Sequence, residues 1–387
     1  MPLEYFLTEE QKTLKGLARQ MAEQRILPVR AELDEKEEFP WDLIKEMASS
    51  DLLRVFIPEE YEGLGGGCFD LCLVVEELSR VCGGIAISYA ANALGVLPLI
   101  LYGSDAQKAK YLPAVASGSR LAAFAVTEAT AGSDASAIRT SARRDGDHYV
   151  LNGTKQFITN GGEAEIYTVV VMTDAAKGSR GASALVVEKG TAGFTFGKKE
   201  KKMGIRSSAT RELVFKDCRV PVENLISREG MGFIVAMRTL DRSRPGVGAQ
   251  ALGIAQGALE AAAEYAQQRV QFGHPISAIQ AVQHMLANMA TELEAARALV
   301  YATARTIDAG AKSFTEESAM AKLFASDMAM RVTTDAVQVL AGAGYMRDYP
   351  VEKMMRDAKI TQIYEGTNQV IRNAIALEVL KRKAKQG

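Results

Sequence analysis

The sequence predicts an α+β protein in which a β domain sits between two helical halves. Three observations carry this reading. Residues 8–118 read as helical apart from a loop around Glu60–Gly67. From about Leu121 short β-rich runs alternate with turn residues. After Glu229-Gly-Met-Gly232 the chain returns to long helices. Domains are expected at 1–119, 120–229 and 230–387, a division suited to a chain of 387 residues.

Taken in order, Thr8-Glu-Glu-Gln11 fits a capping box, in which the hydroxyl and the Gln amide satisfy backbone groups at a helix start. Pro28, Pro40, Pro58 and the glycine run Gly63–Gly67 punctuate the segments that follow. That run fits neither GxGxxG nor GxxxxGK[ST] and follows no clear strand, so a plain turn is expected there. The β runs are LAAFAV (121–126), HYVLNG (148–153), IYTVVVM (166–172), SALVVE (183–188), GFTF (193–196) and ELVFKDCRV (212–220). With Asp-Gly and Asn-Gly between some of them, they describe a small antiparallel domain. No helix long enough for a βαβ crossover fits among them, which disfavours a Rossmann arrangement.

In the last third, Val282, Met285, Leu286, Met289, Leu293, Ala296, Leu299 and Val300 recur mostly at steps of three and four, as one buried helix face does. Ser313-Phe-Thr-Glu316 reads as a second capping box, opening a helix towards Leu340. Ala251, Gly253, Ala255, Gly257, Ala258 and Ala261–Ala263 are small enough for close helix packing.

Composition narrows the function. Hydrophobic residues make up 48% and charged residues 24%, and 46 basic side chains face 47 acidic ones, so no global field favours nucleic acid or an acidic membrane surface. Cys68, Cys72, Cys82 and Cys218 are too few for a disulfide scaffold and lack zinc-site spacing; reduced thiols are expected. His148, His274 and His284 show no HExxH-type spacing, which disfavours metal or His-base catalysis and leaves the metal expectation at none. The start, MPLEYFLTEEQK, lacks secretory-signal character, so a cytoplasmic protein is expected, with a mature mitochondrial-matrix form left open. No stretch reaches the ~18 uninterrupted apolar residues of a membrane span, and membrane insertion is not expected.

Two long motifs then converge. FAVTEATAGSD (124–134) resembles the (A/C)xTEPxAGSD signature of acyl-CoA dehydrogenases, with Ala129-Thr130 where Pro-Gly is usual. Gln338–Gly344 with RDAKITQIYEGTNQ (356–369) resembles their C-terminal signature, and the resemblance covers essentially the whole chain. It implies an N-terminal helical domain, a central antiparallel, barrel-like β domain and a C-terminal four-helix bundle. It also implies flavin adenine dinucleotide (FAD), and a reaction in which a carboxylate takes the Cα proton of an acyl-CoA while hydride passes from Cβ to flavin N5, giving a 2-enoyl-CoA.

By this resemblance Glu365 is the base, and the position where some members carry it instead holds Ser243, which cannot serve. The base needs a pKa nearer neutrality than a free glutamate has, which an apolar pocket supplies. Phe124, Val126, Thr127, Gly132 and Ser133 would meet the flavin, and Phe157, Ile158 and Thr159 in KQFITNG would flank it. Arg269 and Phe272 in RVQFG would reach a neighbouring subunit's FAD, with Gln280, Gln338, Val339 and Gly342 completing that side and Thr367 and Gln369 following the base. Asp241 and Arg244 match an acidic and basic pair that meets CoA; an i, i+3 surface ion pair is the plainer alternative. Ser133, Tyr364 and Gly366 complete the expected substrate contacts.

The acyl pocket would lie beside the helix of about Ile85–Leu101. No Lys or Arg occurs between Arg80 and Lys108, so a distal carboxylate on the acyl chain is disfavoured and a short, branched or cyclic apolar acyl group is expected. The resemblance implies an electron-transfer flavoprotein as acceptor and a homotetramer. A dicarboxylic acyl-CoA dehydrogenase, an oxidase on the same fold and a silent helical binding scaffold stand as alternatives.

Overall fold

The computed structural model describes residues 5–384. Its N-terminal part holds helices α1 (Glu9–Met21), α2 (Arg30–Lys36), α3 (Trp41–Ser49), α4 (Cys68–Val81), α5 (Gly83–Tyr102) and α6 (Asp105–Ala116). The expected capping box opens α1: Thr8 Oγ1 accepts from the Gln11 N–H and the Gln11 amide oxygen accepts from the Thr8 N–H, both at 3.2 Å. Gly63–Gly67 forms a turn into α4. A Cβ at Gly63 would stand 1.8 Å from the Ile57 carbonyl oxygen, so close approach of backbone demands glycine there.

Helix α5 is 20 residues long, with a mean hydropathy of 1.8, enough by length and composition to cross a bilayer. Here it is the core helix. Its few polar groups serve packing: Asn92 Oδ1 accepts from the Ala122 N–H at 2.8 Å, and the Gly95 carbonyl accepts from Thr168 Oγ1 at 2.9 Å. These bonds pin α5 to the β domain.

That domain contains β1 (Ala122–Ala125), β2 (Ser141–Asp145), β3 (His148–Thr159), β4 (Ile166–Met172), β5 (Ala182–Glu188), β6 (Phe194–Lys199), β7 (Thr210–Pro221) and β8 (Leu225–Ile226). The strand order is β6-β7-β3-β2-β4-β5-β8, with β1 also paired to β4. The sheet is mixed, which corrects the all-antiparallel expectation. Strand β1 runs parallel to β4 from Ala122↔Ile166 to Ala125↔Val169, and β2 meets β4 in parallel at Ser141↔Met172. A parallel pair needs a long crossover, and here the β2–β3 hairpin supplies it in place of a helix.

The C-terminal part holds α7 (Gly232–Gln268), a small hairpin of β9 (Val270–Gln271) and β10 (His274–Pro275), then α8 (Gln280–Asp308), α9 (Thr315–Leu340), α10 (Val351–Lys359) and α11 (Asn368–Ala384). Helices α7, α8 and α9 pack on one another, and α10 and α11 both pack on α9. The small-residue stripe serves as expected: Cβ atoms at Gly253 and Gly257 would each stand 2.1 Å from carbonyl oxygens of α4. The second capping box does not form. Phe314 precedes the helix without a side-chain cap, and Thr315 Oγ1 donates instead to the buried Asp241 carboxylate at 2.7 Å.

Pro245 lies inside α7 without ending it. It has no N–H to offer the Asp241 carbonyl one turn back, and Ser318 Oγ of α9 donates to that oxygen instead. A buried network ties α4, α7 and α8 together: Glu76 accepts from Arg297 Nε at 2.9 Å and Tyr301 Oη at 2.7 Å, while Arg297 Nη2 donates to Gln256. All four cysteines are free and buried.

Removing Arg297 alone strands a buried carboxylate, so Arg297→Met is expected to cost about 3–5 kcal/mol. Glu76→Leu with Arg297→Met together is expected to cost less, read by denaturant midpoints. A double variant no more stable than the single one would contradict this account of the network.

Candidate active site

Between a short turn at Ile360–Gln362 and the start of α11, the backbone takes a left-handed step: Glu365 has φ 52° and Gly366 has φ 101°. For a glutamate this costs about 1–3 kcal/mol and persists only where the surroundings enforce it. Two helices do so. Arg244 Nε of α7 donates to the Glu365 carbonyl at 3.2 Å, Lys322 Nζ of α9 donates to the Gly366 carbonyl at 2.7 Å, and Lys322 also holds Asn368 Oδ1 at 2.7 Å. Tyr364 Oη donates to Gln250 of α7. The Glu365 side chain is half-buried and accepts from Ser243 Oγ at 2.5 Å. Among the described residues, nothing accepts from the Glu365 backbone N–H.

Burial raises the Glu365 pKa above the usual carboxylate range, while the Ser243 hydrogen bond and the charges of Arg244 and Lys322 restrain the rise. Burial also pulls Lys322 down to about 8, with the Glu365 charge acting to keep it protonated. The carboxylate is thus a stronger base than a solvated glutamate, with a neutral donor and two cations holding its charge in place.

Glu365 and Ser243 form part of the wall of a cavity of about 800 Å³. Ile87, Ala90, Ala91, Leu94 and Leu97 of α5, Val75 of α4 and Val247 of α7 make much of it apolar. The Gly65–Gly67 turn lies at its polar side with Arg242, Arg305 and Asp308. Those two arginines come from α7 and α8, so counting cations on α5 alone missed them. Arg305 is committed to structure: it donates to the carbonyls of Tyr5 and Phe6 and lies 4.5 Å from the centre of the Phe69 ring. Asp308 caps α4, accepting from the Cys68 and Phe69 N–H groups at 2.7 Å each.

Asp241 and Arg244 are not a surface pair. Both are buried, 2.7 Å apart, and neither lines the cavity; Arg242 and Ser243 between them do. Their observed work is to brace the Glu365 turn from behind.

A second face belongs to the β domain. Glu128 is buried and accepts from the Arg139 and Thr140 N–H groups at 2.7 and 3.0 Å and from Lys155 Nζ at 2.7 Å. Burial opposes its charge, but Lys155 and the other donors outweigh burial and hold its pKa below the usual range. Lys155, which also donates to the Val126 carbonyl at 2.9 Å, is brought down by burial to about 8. This latch shapes the 126–140 loop that carries Thr127, Gly132 and Ser133. Past Lys155 a bulge in the β3–β7 pairing turns Phe157 outwards, at φ 59° and 58% exposure. Phe124, Val126, Thr127 and Thr159 are half-buried, Gly132 and Ser133 are exposed, and Ile158 points into the core, leaving only its backbone for a ligand. An exposed aromatic ring held at positive φ near a loop with open backbone fits the flat ring system of a flavin.

The remaining expected cofactor residues sit on the C-terminal part. Arg269 and Phe272 lie at and in the β9–β10 hairpin, with Phe272 89% exposed, and Gln280, Gln338, Gly342 and Gln369 are exposed too. Thr367 is half-buried, and the Val339 side chain packs inside. Sequence reasoning missed Lys322, Glu128, Lys155 and the Ser243 bond. Lys322 had a signal: Ser318, Ala319, Ala325 and Ser326, three and four residues away, are all small, as on a buried helix face.

Family models for the acyl-CoA dehydrogenase N-terminal, middle and C-terminal domains match residues 8–119, 123–218 and 230–380. The probable acyl-CoA dehydrogenase FadE25 of Mycobacterium tuberculosis is 49% identical over 375 residues, 97% of this chain and 96% of that one. Butyryl-CoA dehydrogenase from Megasphaera elsdenii superimposes with a TM-score of 0.95 at 47% identity, covering 98% of this chain and all of its own, 100%. A chain from work on the electron transferring flavoprotein of Acidaminococcus fermentans does so with a TM-score of 0.96 at 50% identity, covering 98% and 100%. With three domain models in register and near-half identity along its length, this chain belongs to the acyl-CoA dehydrogenase family, FAD-dependent oxidoreductases whose fold it shares in every domain.

Proposed function

We propose that the protein converts a short, branched or cyclic apolar acyl-CoA to its 2-enoyl-CoA, with Glu365 taking the Cα proton. The observation that carries this reading is the placement of Glu365: a half-buried carboxylate with a raised pKa, at the wall of a largely apolar cavity, on a turn forced into a left-handed step.

A thioester with its acyl chain along α5 would present Cα to Glu365. The free Glu365 N–H is a donor for the thioester oxygen, where charge grows as the proton leaves. Ser243 can donate to the ionised carboxylate and, by turning its hydroxyl to the Leu240 carbonyl at 3.2 Å, accept from the protonated one. FAD, when bound, supplies the acceptor for the Cβ hydride; Phe157 and residues 124–133 would hold it. Ala90 and Ala91 leave width for a branch or ring, and similarity to a butyryl-CoA dehydrogenase supports a short chain.

Similarity to a chain from work on an electron transferring flavoprotein supports such a protein as electron acceptor. Exposed Phe272, Tyr345 and Met346 on the C-terminal part support their cover by other copies in a homotetramer.

Glu365→Gln is expected to retain yellow, FAD-bound enzyme while slowing anaerobic flavin bleaching by acyl-CoA about 10²–10⁴-fold, the range for a lost general base. Bleaching at the normal rate would overturn the assignment. A panel of linear, branched, cyclic and dicarboxylic thioesters, run against the unaltered protein and Ala90→Leu, tests the substrate class. Extra bulk at position 90 is expected to lower kcat/KM for branched or cyclic substrates about tenfold more than for a linear four-carbon one. Preference of the unaltered enzyme for a dicarboxylic thioester would contradict an apolar acyl group.

A further inference from the structure

Lys322 is fully buried, and among the described residues no carboxylate touches it. Its two hydrogen-bond partners are neutral oxygens, the Gly366 carbonyl and Asn368 Oδ1. The charged groups facing it are Glu365 from the turn, Arg244 from α7 and Asp327 from α9 itself. Asp327 is already engaged by Arg372 of α11 at 2.6 Å and by the Asn368 and Gln362 amides at 2.7 Å each. Arg244 repels the ammonium and is matched by Asp241. Among the described residues, Glu365 is therefore the one carboxylate facing Lys322 that has no salt bridge of its own.

A buried ammonium is costly, and two neutral oxygens could be satisfied by an uncharged amide at far lower desolvation cost. A lysine here therefore calls for a use of its charge. We propose that Lys322 is a positioning residue for the base: its ammonium holds the turn that presents Glu365 and keeps that carboxylate ionised inside the largely apolar cavity. The inference rests on Glu365 being the base. The interaction is reciprocal. Whatever Glu365 does to keep a proton on Lys322, Lys322 does equally to keep one off Glu365.

The sign follows. Removing a nearby cation raises a carboxylate pKa, so a neutral residue at 322 leaves less Glu365 ionised at low pH and about the same amount at high pH. A purely structural role would lower the rate equally at every pH.

The test reads proton removal apart from oxidation. Acetyl-CoA has α-hydrogens but no Cβ to release hydride, and its α-exchange in D₂O is followed by NMR with the FAD-bound enzyme across acid and alkaline pD. For the unaltered enzyme the rate should rise with pD to a plateau. For Lys322→Gln the midpoint should move upwards, with exchange about tenfold or more slower on the acid side and converging at high pD, as expected for loss of an opposite charge. Lys322→Arg should restore the midpoint. An unmoved midpoint, or a uniform loss, overturns the proposal. Should Lys322→Gln fail to hold FAD, Lys322→Met removes the charge and keeps an unbranched side chain of similar length. It must move the midpoint the same way, and an unmoved midpoint there overturns the proposal as well. Failure of the underlying reading looks different: Glu365→Gln would then exchange as fast as the unaltered enzyme. If Glu365→Gln is inactive and the uncharged variants at 322 keep the normal midpoint, only the role of Lys322 is lost.

Discussion

A carboxylate held in the wall of a largely apolar cavity is the constraint on which the rest of this structure depends. Solvation favours a charged glutamate, and burial favours a neutral one. At Glu365 burial prevails enough to raise the pKa, while Ser243, Arg244 and Lys322 restrain it. The helices that supply these groups are bound to each other at the same place. Pro245 frees a carbonyl of α7, and Ser318 of α9 takes it; Asp241 of α7 receives both Arg244 and Thr315. A local weakness in α7 thereby becomes a joint with α9 directly behind Glu365.

The face of the β domain that carries Thr127 and Phe157 rests on a comparable device. Glu128 and Lys155 form a buried ion pair whose remaining bonds go to backbone groups of the 126–140 loop. Pairs of this kind add little net stability compared with apolar residues of equal volume, but they specify one loop path. The β3 bulge just beyond Lys155 turns Phe157 out of the sheet. Ion pair and bulge together give the loop its shape without a helix dipole or a glycine-rich phosphate loop, in keeping with a sheet that has no βαβ unit.

Much of this was legible in the sequence because it is written locally. The α1 capping box, the small-residue stripe of α7, the helical face from Met289 to Val300 and the helix, β, helix order all depend on residues a few positions apart. The parallel pairing of β1 with β4 was not legible, since strand direction is decided by partners some forty residues away, and alternation looks the same in either direction. Ser313 failed as a cap because a buried carboxylate on another helix drew Thr315 to it. Asp241 and Arg244 showed as an i, i+3 pair, but only the fold reveals which side of α7 is covered. Lys322 and Ser243 gain their meaning from Glu365, 43 and 122 positions away, and no local pattern encodes that proximity.

The central claim is that the Cα of a bound thioester lies against the Glu365 carboxylate. A 2-bromoacyl-CoA tests this directly, because a carboxylate within reach of Cα displaces bromide and remains esterified to the acyl group. Peptide mass spectrometry after stoichiometric labelling is predicted to find the adduct on Glu365, with loss of substrate-driven flavin bleaching. An adduct on another cavity residue such as Cys68, with Glu365 unmodified, would contradict the account.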